Sequence, residues 1–398
     1  MSYPLVTGFG GVVRPGETWN RQRLRSNNEW LLLERLRTGG PLSRAQLARD
    51  TGLSKPTVSI ALAALERAGL AREAGRFAPE RGRTAVLYER DPTAGRVLGI
   101  DIGRAWLRVA LTDLAGRVLA RADVPNRGSS ADAVADEVVA AARGATAEAG
   151  VPESAINRTV IGTPGVWDEQ CRSVRYANQL PGWNEPGLFD RIAEGLGTRI
   201  TVANDANLAA LGEYTFGSGA GSRVFAYLLI GTGLGVGVVR EGDLLAGTHG
   251  SAGEIGFLPL PGRPGETLEE ATSAEAVVRT ARRLGMRGQL TARKVFDAAR
   301  AGDEAAVATV HHEAEQLAYA VAVVSAVLDP DLVVLGGGLG QSADLLLGPL
   351  EEALHRLVPI RPRLAPSRLQ EEAVLYGAVA TALDLARPEI FVRRTAAL

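Results

Sequence analysis

The 398-residue sequence holds a single cysteine, Cys171. That excludes an internal disulfide and any zinc site built from several cysteines. No stretch approaches the ~18 apolar residues that a membrane span requires, and the start lacks a signal-peptide pattern. Lysine is nearly missing: almost all of the 44 basic residues are arginine, which reflects genome composition more than mechanism. What is present suits an ordinary globular protein, with 46% apolar and 22% charged residues. A chain of this length has room for two or three compact units. The expectation is a cytoplasmic protein without metal or cofactor.

The formal net charge of −1 hides an asymmetry. Between Arg21 and Arg90 there are 14 Lys/Arg against 7 Asp/Glu, a net of +7. Arg14 and Glu17 cancel within residues 1–20, so residues 91–398 carry −8. A small basic head on a large acidic body suggests an anionic polymer as the head's partner.

The head carries a motif. Asn28–Leu36 reads as a helix whose apolar face includes Trp30, Leu31, Leu33 and Leu36, stopping near Thr38-Gly39-Gly40. Ser43 reads as the N-cap of a helix over Arg44–Asp50, with Ala45, Leu47 and Ala48 facing inward. After a turn at Thr51-Gly52-Leu53, Ser54 caps a third helix with Pro56 in its first turn. Val58, Leu62 and Leu65 give it a core face, and Gly69 ends it. This is a helix-turn-helix, whose second helix enters the major groove by its N-terminal end. Arg44, Ser54, Lys55, Thr57, Val58 and Ser59 are the candidate DNA contacts there. Segments Leu70–Ala74 and Thr84–Tyr88 alternate around a tip with Gly75, Arg76, Arg81, Gly82 and Arg83. That reads as a β-wing, with Arg76, Arg81 and Arg83 on the phosphate backbone or in the minor groove.

Beyond Arg96 the texture is α/β. Val97–Gly103 reads as a buried strand ending in Asp101 and Gly103. Leu107–Leu111 and Val118–Ala120 flank a turn, Ala131–Ala149 is an alanine-rich helix, and Arg158–Gly162 is a strand running into Thr163-Pro164-Gly165. Loops at the C-terminal ends of such strands are where ligands gather. Arg199–Ala203 delivers Asn204-Asp205, and a second hairpin follows over Tyr227–Leu245. Leu332–Leu335 runs into Gly336-Gly337-Gly338. Two halves, each opening on a glycine- or acid-tipped hairpin, suggest duplicated lobes around a cleft.

The densest stretch of chemistry is Val202–Gly256. Asp205 and Glu254 can accept hydrogen bonds from vicinal hydroxyls, and Asn204 can donate and accept. The run Gly231-Thr232-Gly233-Leu234-Gly235 follows a strand and can bring N–H groups close to a phosphate. This outlines a polyol site beside a phosphate site. Asp205 alone also reads as a helix N-cap.

The whole chain resembles the ROK family of repressors and sugar kinases. The resemblance rests on Gly99-Ile-Asp-Ile-Gly103, Thr163-Pro-Gly165, Asn204-Asp-Ala-Asn207, Ile230-Gly-Thr-Gly-Leu-Gly235, His249-Gly-Ser-Ala-Gly-Glu-Ile-Gly256 and Leu335-Gly-Gly-Gly338. Six such motifs in order, behind a winged helix-turn-helix, are specific. The resemblance implies a two-lobed, actin-like, hexokinase-type body ending in a helix over Glu371–Leu385. The head marks the repressor branch. It further implies that Asp205 matches the kinases' general base, that Asn204, Glu254 and Glu269 hold sugar hydroxyls, and that Gly165 and Asn178 line the same cleft. The domains then expected are an arm over 1–20, a winged head over 21–90, a first lobe over 95–203 plus 374–398, and a second lobe over 204–373.

Three departures from the family's kinases bear on function. Where those continue the first phosphate loop with Gly and Thr, this chain has Arg104 and Ala105, so Asp101 and Gly103 belong to a degenerate loop. Gly231, Thr232 and Gly233 form the second, also expected to be vestigial. Phe257 replaces a His that would ligate sugar and zinc; it either stacks on a sugar's C–H face or fills the space as core. The family's cysteine-rich loop is replaced by Pro261–Thr267, leaving no zinc set. The expectation is a sugar-responsive repressor acting on operator DNA as a homodimer or homotetramer, without catalysis. A sugar kinase that also binds DNA, and a regulator that no longer senses sugar, are the alternatives.

Overall fold

The computed structural model describes residues 21–78, 84–177 and 182–396. The expected arm over 1–20, Arg81, Arg83 and Asn178 lie outside the described residues.

The head opens with α1 (Arg21–Gly39), seven residues earlier than its apolar pattern suggested. Leu32, Leu33 and Leu36 face its core, whereas Leu31 is exposed, correcting the expected face by one position. Strand β1 (Leu42–Ser43) leads into α2 (Arg44–Thr51). Ser43 and Gln46 cap α2 reciprocally, each side chain meeting the other's backbone N–H. Leu47 is buried there, while Ala45 is exposed. Gly52 takes φ +73° and turns the chain, a conformation that Cβ disfavours elsewhere. Ser54 then caps α3 (Lys55–Arg67) by accepting from the Thr57 N–H. The wing is β2 (Ala71–Phe77) and β3 (Ala85–Arg90), with β1 as third strand on β3. Gly75 and Arg76 lie within β2, at a register shift, rather than at the wing tip.

The body has two five-stranded sheets. The first is built from β4 (Arg96–Ile102), β5 (Trp106–Asp113), β6 (Val118–Pro125), β7 (Ile156–Thr163) and β10 (Ile200–Asn204). Between them run α4 (Ala131–Glu148), the small ribbon β8 (Val166–Asp168) and β9 (Ser173–Arg175), and α5 (Leu188–Leu196). Helix α6 (Asp205–Phe216) crosses to the second sheet: β11 (Val224–Ile230), β12 (Leu234–Arg240), β13 (Asp243–Leu244), β14 (Leu332–Gly336) and β15 (Arg363–Pro366). Helices α7 (Leu268–Thr272), α8 (Ala274–Arg283), α9 (Ala292–Arg300) and α10 (Glu304–Leu328) precede β14. Helices α11 (Gly337–Gly340) and α12 (Ala343–Leu357) follow it, and α13 (Ala373–Thr395) ends the chain.

The two sheets repeat one topology. In each, an antiparallel meander pairs its first strand with a parallel strand from later in the chain, giving β6-β5-β4-β7-β10 and β13-β12-β11-β14-β15. The duplication expected from the paired hairpins is therefore present. Central strands are apolar on both faces because helices cover both, as in β4 and β14, where Val97–Ile102 and Leu332–Leu335 are buried.

Helices α6 and α13 cross at two glycines. A Cβ at Gly212 would collide with the Ala373 carbonyl, and one at Gly377 with the Leu208 carbonyl. Glycine is required at both positions by this close backbone approach. Helix α13 runs ten residues past its expected end at Leu385, through Pro388, and that extension holds the head. Phe391 packs edge-on against Trp30 of α1, with ring centroids 5.1 Å apart. Arg394 donates to the carbonyls of Ala68 (3.1 Å) and Gly69 (3.2 Å), just past the end of α3, and to Ala94 (2.6 Å). One apolar cluster joins Leu47 and Leu62 of the head, Ile390 and Phe391 of α13, and Leu208 of α6.

Candidate functional site

The candidate cleft sits where β7 and β10 end and α6 begins. Asn204, not Asp205, is the N-cap: its side-chain oxygen accepts from the Asn207 N–H (3.0 Å), and its amide donates to the Gly165 carbonyl (3.1 Å). The capping alternative for Asp205 is thereby excluded. Asn204 keeps spare capacity for one donor and one acceptor contact. Gly165 sits at φ +88°, where a Cβ would meet the Arg175 carbonyl and Val174 at 2.5 Å. It serves as the backbone bridge between this loop and α6. Trp183, fully buried, donates its indole N–H to the Thr163 hydroxyl and pins the neighbouring loop.

Asp205 uses one oxygen to accept from the Ala206 N–H (2.8 Å); the other has no donor from another of the described residues. Burial pushes its carboxyl up to about 6, aided by the nearby charge of Glu269. Glu254 is pushed up to about 7, first by burial, then by Asp205 and Glu269. The three carboxylates Asp205, Glu254 and Glu269 are thus within electrostatic reach of one another. Glu269 is anchored, accepting from the Leu234 N–H (3.1 Å). Gly253 and Gly256 let the intervening segment lie against β12, since a Cβ at Gly253 would strike the Val236 carbonyl and one at Gly256 would sit 2.8 Å from that of Leu234. Asp101, at the end of β4, is also raised, to about 7, by burial against the attraction of Arg108. Among the described residues, no three His, Cys, Asp or Glu side chains are placed to hold a metal ion.

Phe257 is 54% exposed, which excludes the core-filling alternative. It meets Tyr176 edge-on at 5.4 Å, and the Arg175 guanidinium lies 5.6 Å from the Tyr176 ring centre. Tyr176 takes φ +66°, a conformation uncommon outside glycine. Sequence reasoning missed Tyr176; an aromatic two positions before Asn178, in a cleft loop, was the available signal. Together Phe257 and Tyr176 present an exposed aromatic surface.

The glycine turns differ. In the first, the Gly103 N–H donates to the Trp106 carbonyl (2.9 Å), and the Gly103 carbonyl accepts from the Asn126 amide (2.8 Å). Arg104 and Ala105 are exposed. In the second, the Gly231 N–H donates to the Gly233 carbonyl (3.0 Å), and Thr232 is exposed. Gly231 lies beside Gly338, a Cβ on the former falling 3.8 Å from the latter's nitrogen. This brings two glycine runs together at the ends of β11 and β14. Next to them is a cavity of about 440 Å³ lined by Gly336, Gly337, Gln341, Ser367 and the Arg300–Asp344 pair.

On the head, Ser54 and Lys55 are exposed, and Thr57 and Ser59 are partly so. Val58 is fully buried among the head's leucines and cannot reach DNA, which corrects its assignment as a contact. Ile60, 60% exposed on the same helix, lies opposite the buried face formed by Val58, Ala61, Leu62 and Leu65. Arg44 is exposed with its guanidinium 5.1 Å from the Tyr88 ring centre, and Arg76 is exposed on β2. No helix of the described residues is long and apolar enough to cross a membrane.

Comparison with known proteins agrees with this architecture. Residues 97–384 match the model of the ROK family, and residues 25–83 match that of the MarR family. A glucokinase of Halalkalibacterium halodurans is 31% identical over 290 residues, spanning 67% of this chain and 87% of the relative. A xylose repressor of Caldicellulosiruptor bescii is 24% identical over 390 residues, spanning 92% and 97%. Among solved structures, a transcriptional regulator described as a homologue of the E. coli MLC protein superposes with a TM-score of 0.76 at 23% identity, covering 94% of this chain and 99% of that one. A Streptomyces griseus glucokinase in complex with glucose and AMPPNP gives 0.64 at 28% identity, covering 74% and 100%.

Proposed function

The chain belongs to the ROK family, and we propose that it is a transcriptional repressor whose cleft binds a sugar or sugar derivative as effector. The winged head reads a (pseudo)palindromic operator, two heads being supplied by a homodimer or homotetramer in the cytoplasm. Similarity to a xylose repressor over 92% of the chain supports this reading, since the glucokinase similarity spans 67%. The proposal divides the chain into the arm over 1–20, the head over 21–90, a first lobe over 95–203 plus 374–398, and a second lobe over 204–373.

The observation that carries it is a continuous physical link from cleft to recognition helix. Asn204 and Asp205 begin α6, α6 packs backbone-to-backbone on α13, and Arg394 of α13 bonds the carbonyls that end α3. An effector held by Asp205, Glu254 and Glu269, with Asn204 and Asn178 completing the hydroxyl contacts and Phe257 against its C–H face, bears directly on the start of α6. It changes operator occupancy only by binding one lobe arrangement better than the other. Arg108 is placed to report that arrangement: it contacts Asp101 (3.3 Å) and Glu371 (2.8 Å), and Glu371 also accepts from Gln341 (2.5 Å) of the second sheet's side.

Catalysis is not part of this proposal. The Gly103 N–H is spent within its turn, and Arg104 and Ala105 replace the bare, hydroxyl-bearing loop that phosphoryl transfer uses. A sugar kinase that also binds DNA is the second reading, favoured by the retained Asp205 and the bare Gly231–Gly233 turn. Fluorescence anisotropy separates them, using DNA from upstream of the protein's own gene and a sugar panel with and without ATP. Specific binding relieved by one sugar without ATP consumption is expected. Sugar-dependent ATP loss abolished by Asp205→Asn would establish the kinase instead. Specific binding that no sugar alters would point to a cleft that has lost its sensing role.

A further inference from the structure

A second cavity, of about 340 Å³, lies at the seam between the head and the first lobe, away from the cleft. Its walls come from α1 (Leu33, Leu36), the start of the wing (Leu70), the 91–94 connection, the 114–115 turn and α13 (Arg387, Ile390). Three arginines line it, Arg37, Arg90 and Arg387, and the last two donate to one acceptor, the Leu114 carbonyl, at 3.1 and 3.2 Å. That is the only hydrogen bond of the Arg90 side chain among the described residues. Arg387 also meets Asp384, at 3.2 Å on the outer side, but its buried Nε has no partner among the described residues.

The carboxylates around this cavity are committed elsewhere. Glu34 pairs with Arg37 (2.6 Å), Glu89 with Arg72 (2.7 Å), and Asp91 accepts from the Thr93 N–H and hydroxyl (2.8 and 2.7 Å). Among the described residues Arg90 therefore has no carboxylate at ion-pair distance, and Arg387 has only Asp384. Burial, then the charge of Arg387, holds the Arg90 guanidinium down at about 10, and burial likewise lowers Arg387. Both remain charged at neutral pH. Buried guanidinium donors left without acceptors are stabilised by a ligand that brings anionic oxygens to them.

We propose that the seam cavity is a second ligand site that takes a small organic oxyanion, its phosphate held by Arg90 and Arg387 and its apolar body by Leu33, Leu36, Leu70 and Ile390. The volume suits a compact monoester rather than a nucleotide with its base, sugar and phosphates. Guanidinium forks match the geometry of phosphate oxygens, which favours phosphate over carboxylate where two forks converge. The ligand would lie between Leu70, three residues after α3, and α13, so its occupancy sets the angle at which the head leaves the body. Binding itself stands apart from the repressor reading; only its effect on DNA rests on that reading.

Titration calorimetry on the full chain with phenyl phosphate, phenol, benzoate and inorganic phosphate tests this. Phenyl phosphate is expected to bind at least tenfold more tightly than benzoate or inorganic phosphate, with no heat from phenol. Arg90→Met and Arg387→Met should each weaken it tenfold or more, and Asp205→Asn should leave it unchanged. Ala115→Trp, which keeps both arginines and obstructs the exposed edge of the cavity, guards against a variant that fails only by misfolding; it should also weaken binding. Equal binding by phenyl phosphate and benzoate would overturn the phosphate assignment. Binding untouched by the arginine and Ala115 variants, or no binding, would overturn the site. Operator anisotropy then reads the consequence: a phenyl phosphate effect on DNA affinity that Arg90→Met removes is expected. Calorimetric binding with no operator binding at all would instead count against the repressor reading alone.

Discussion

In the cleft, burial raises Asp205 to about 6 and Glu254 to about 7; at the seam, burial lowers Arg90 to about 10 and Arg387 in the same direction. The cleft gathers three carboxylates, whereas the seam brings two guanidiniums to one carbonyl and leaves the Arg387 Nε without a partner among the described residues. The cleft's carboxylates offer acceptors, which suits a polyol; the seam's guanidiniums offer donors, which suits an oxyanion. What the sites share is α13, which packs on α6 near the cleft and carries Arg387 and Arg394 at the seam.

Cutting that shared element has the largest expected effect. Gly377→Val places branched atoms where even a Cβ meets the Leu208 carbonyl, so the helices must separate. A loss of about 3 kcal/mol or more in unfolding free energy is expected. Urea denaturation checks it. A change below ~1 kcal/mol would mean that the crossing is soft and cannot transmit anything.

Next comes Arg394→Ala, which cuts α13 from α3 while leaving both ligand sites intact. Three charge-assisted bonds to carbonyls are lost, for an expected cost of about 2 kcal/mol. Sugar binding should persist while the sugar's effect on operator affinity shrinks. An undiminished effect would move the transmission route elsewhere.

The charge comparison is sharpened by pH. Asp205 and Glu254 have folded pKa values above their unfolded ones, so the folded protein holds protons that the unfolded chain releases between about pH 4 and 7. The stability these groups lend is present at low pH and is lost as pH rises through that window. Asp205→Asn should therefore raise stability by about 1–2 kcal/mol at pH 8 and by little at pH 4, while abolishing the sugar response. Thermal melts at both pH values check the sign, and a variant less stable at pH 8 would refute it.

Sequence carried the architecture because its signals were local and repeated. Ser43, Gly52, Ser54 and Gly69 mark boundaries by their own capping and turn chemistry, and the paired hairpins announced two lobes. What stayed hidden was tertiary. The stop at Leu385 failed because Pro388 was absorbed within a helix whose next residues, Ile390 and Phe391, are buried by a distant head. Val58 was given two roles, core face by its spacing with Leu62 and Leu65 and DNA contact by its place among polar residues, and its full burial keeps only the first. Arg90 and Arg387 lie 297 positions apart, and no spacing rule brings them to one carbonyl. Asp205 was chemically legible, but its freedom from capping depended on Asn204 taking that role.

The smallest expected effect tests the cleft's apolar side. Phe257 is 54% exposed and touches Tyr176 edge-on, so its removal costs little core. Phe257→Ala should leave unfolding free energy within about 0.5 kcal/mol of the parent. It should nonetheless weaken effector binding by about 1 kcal/mol, roughly fivefold, because a sugar's C–H face loses a ring to rest on. Equal effector affinity in parent and Phe257→Ala would place the ring outside the binding surface and leave the cleft's selectivity to the three carboxylates alone.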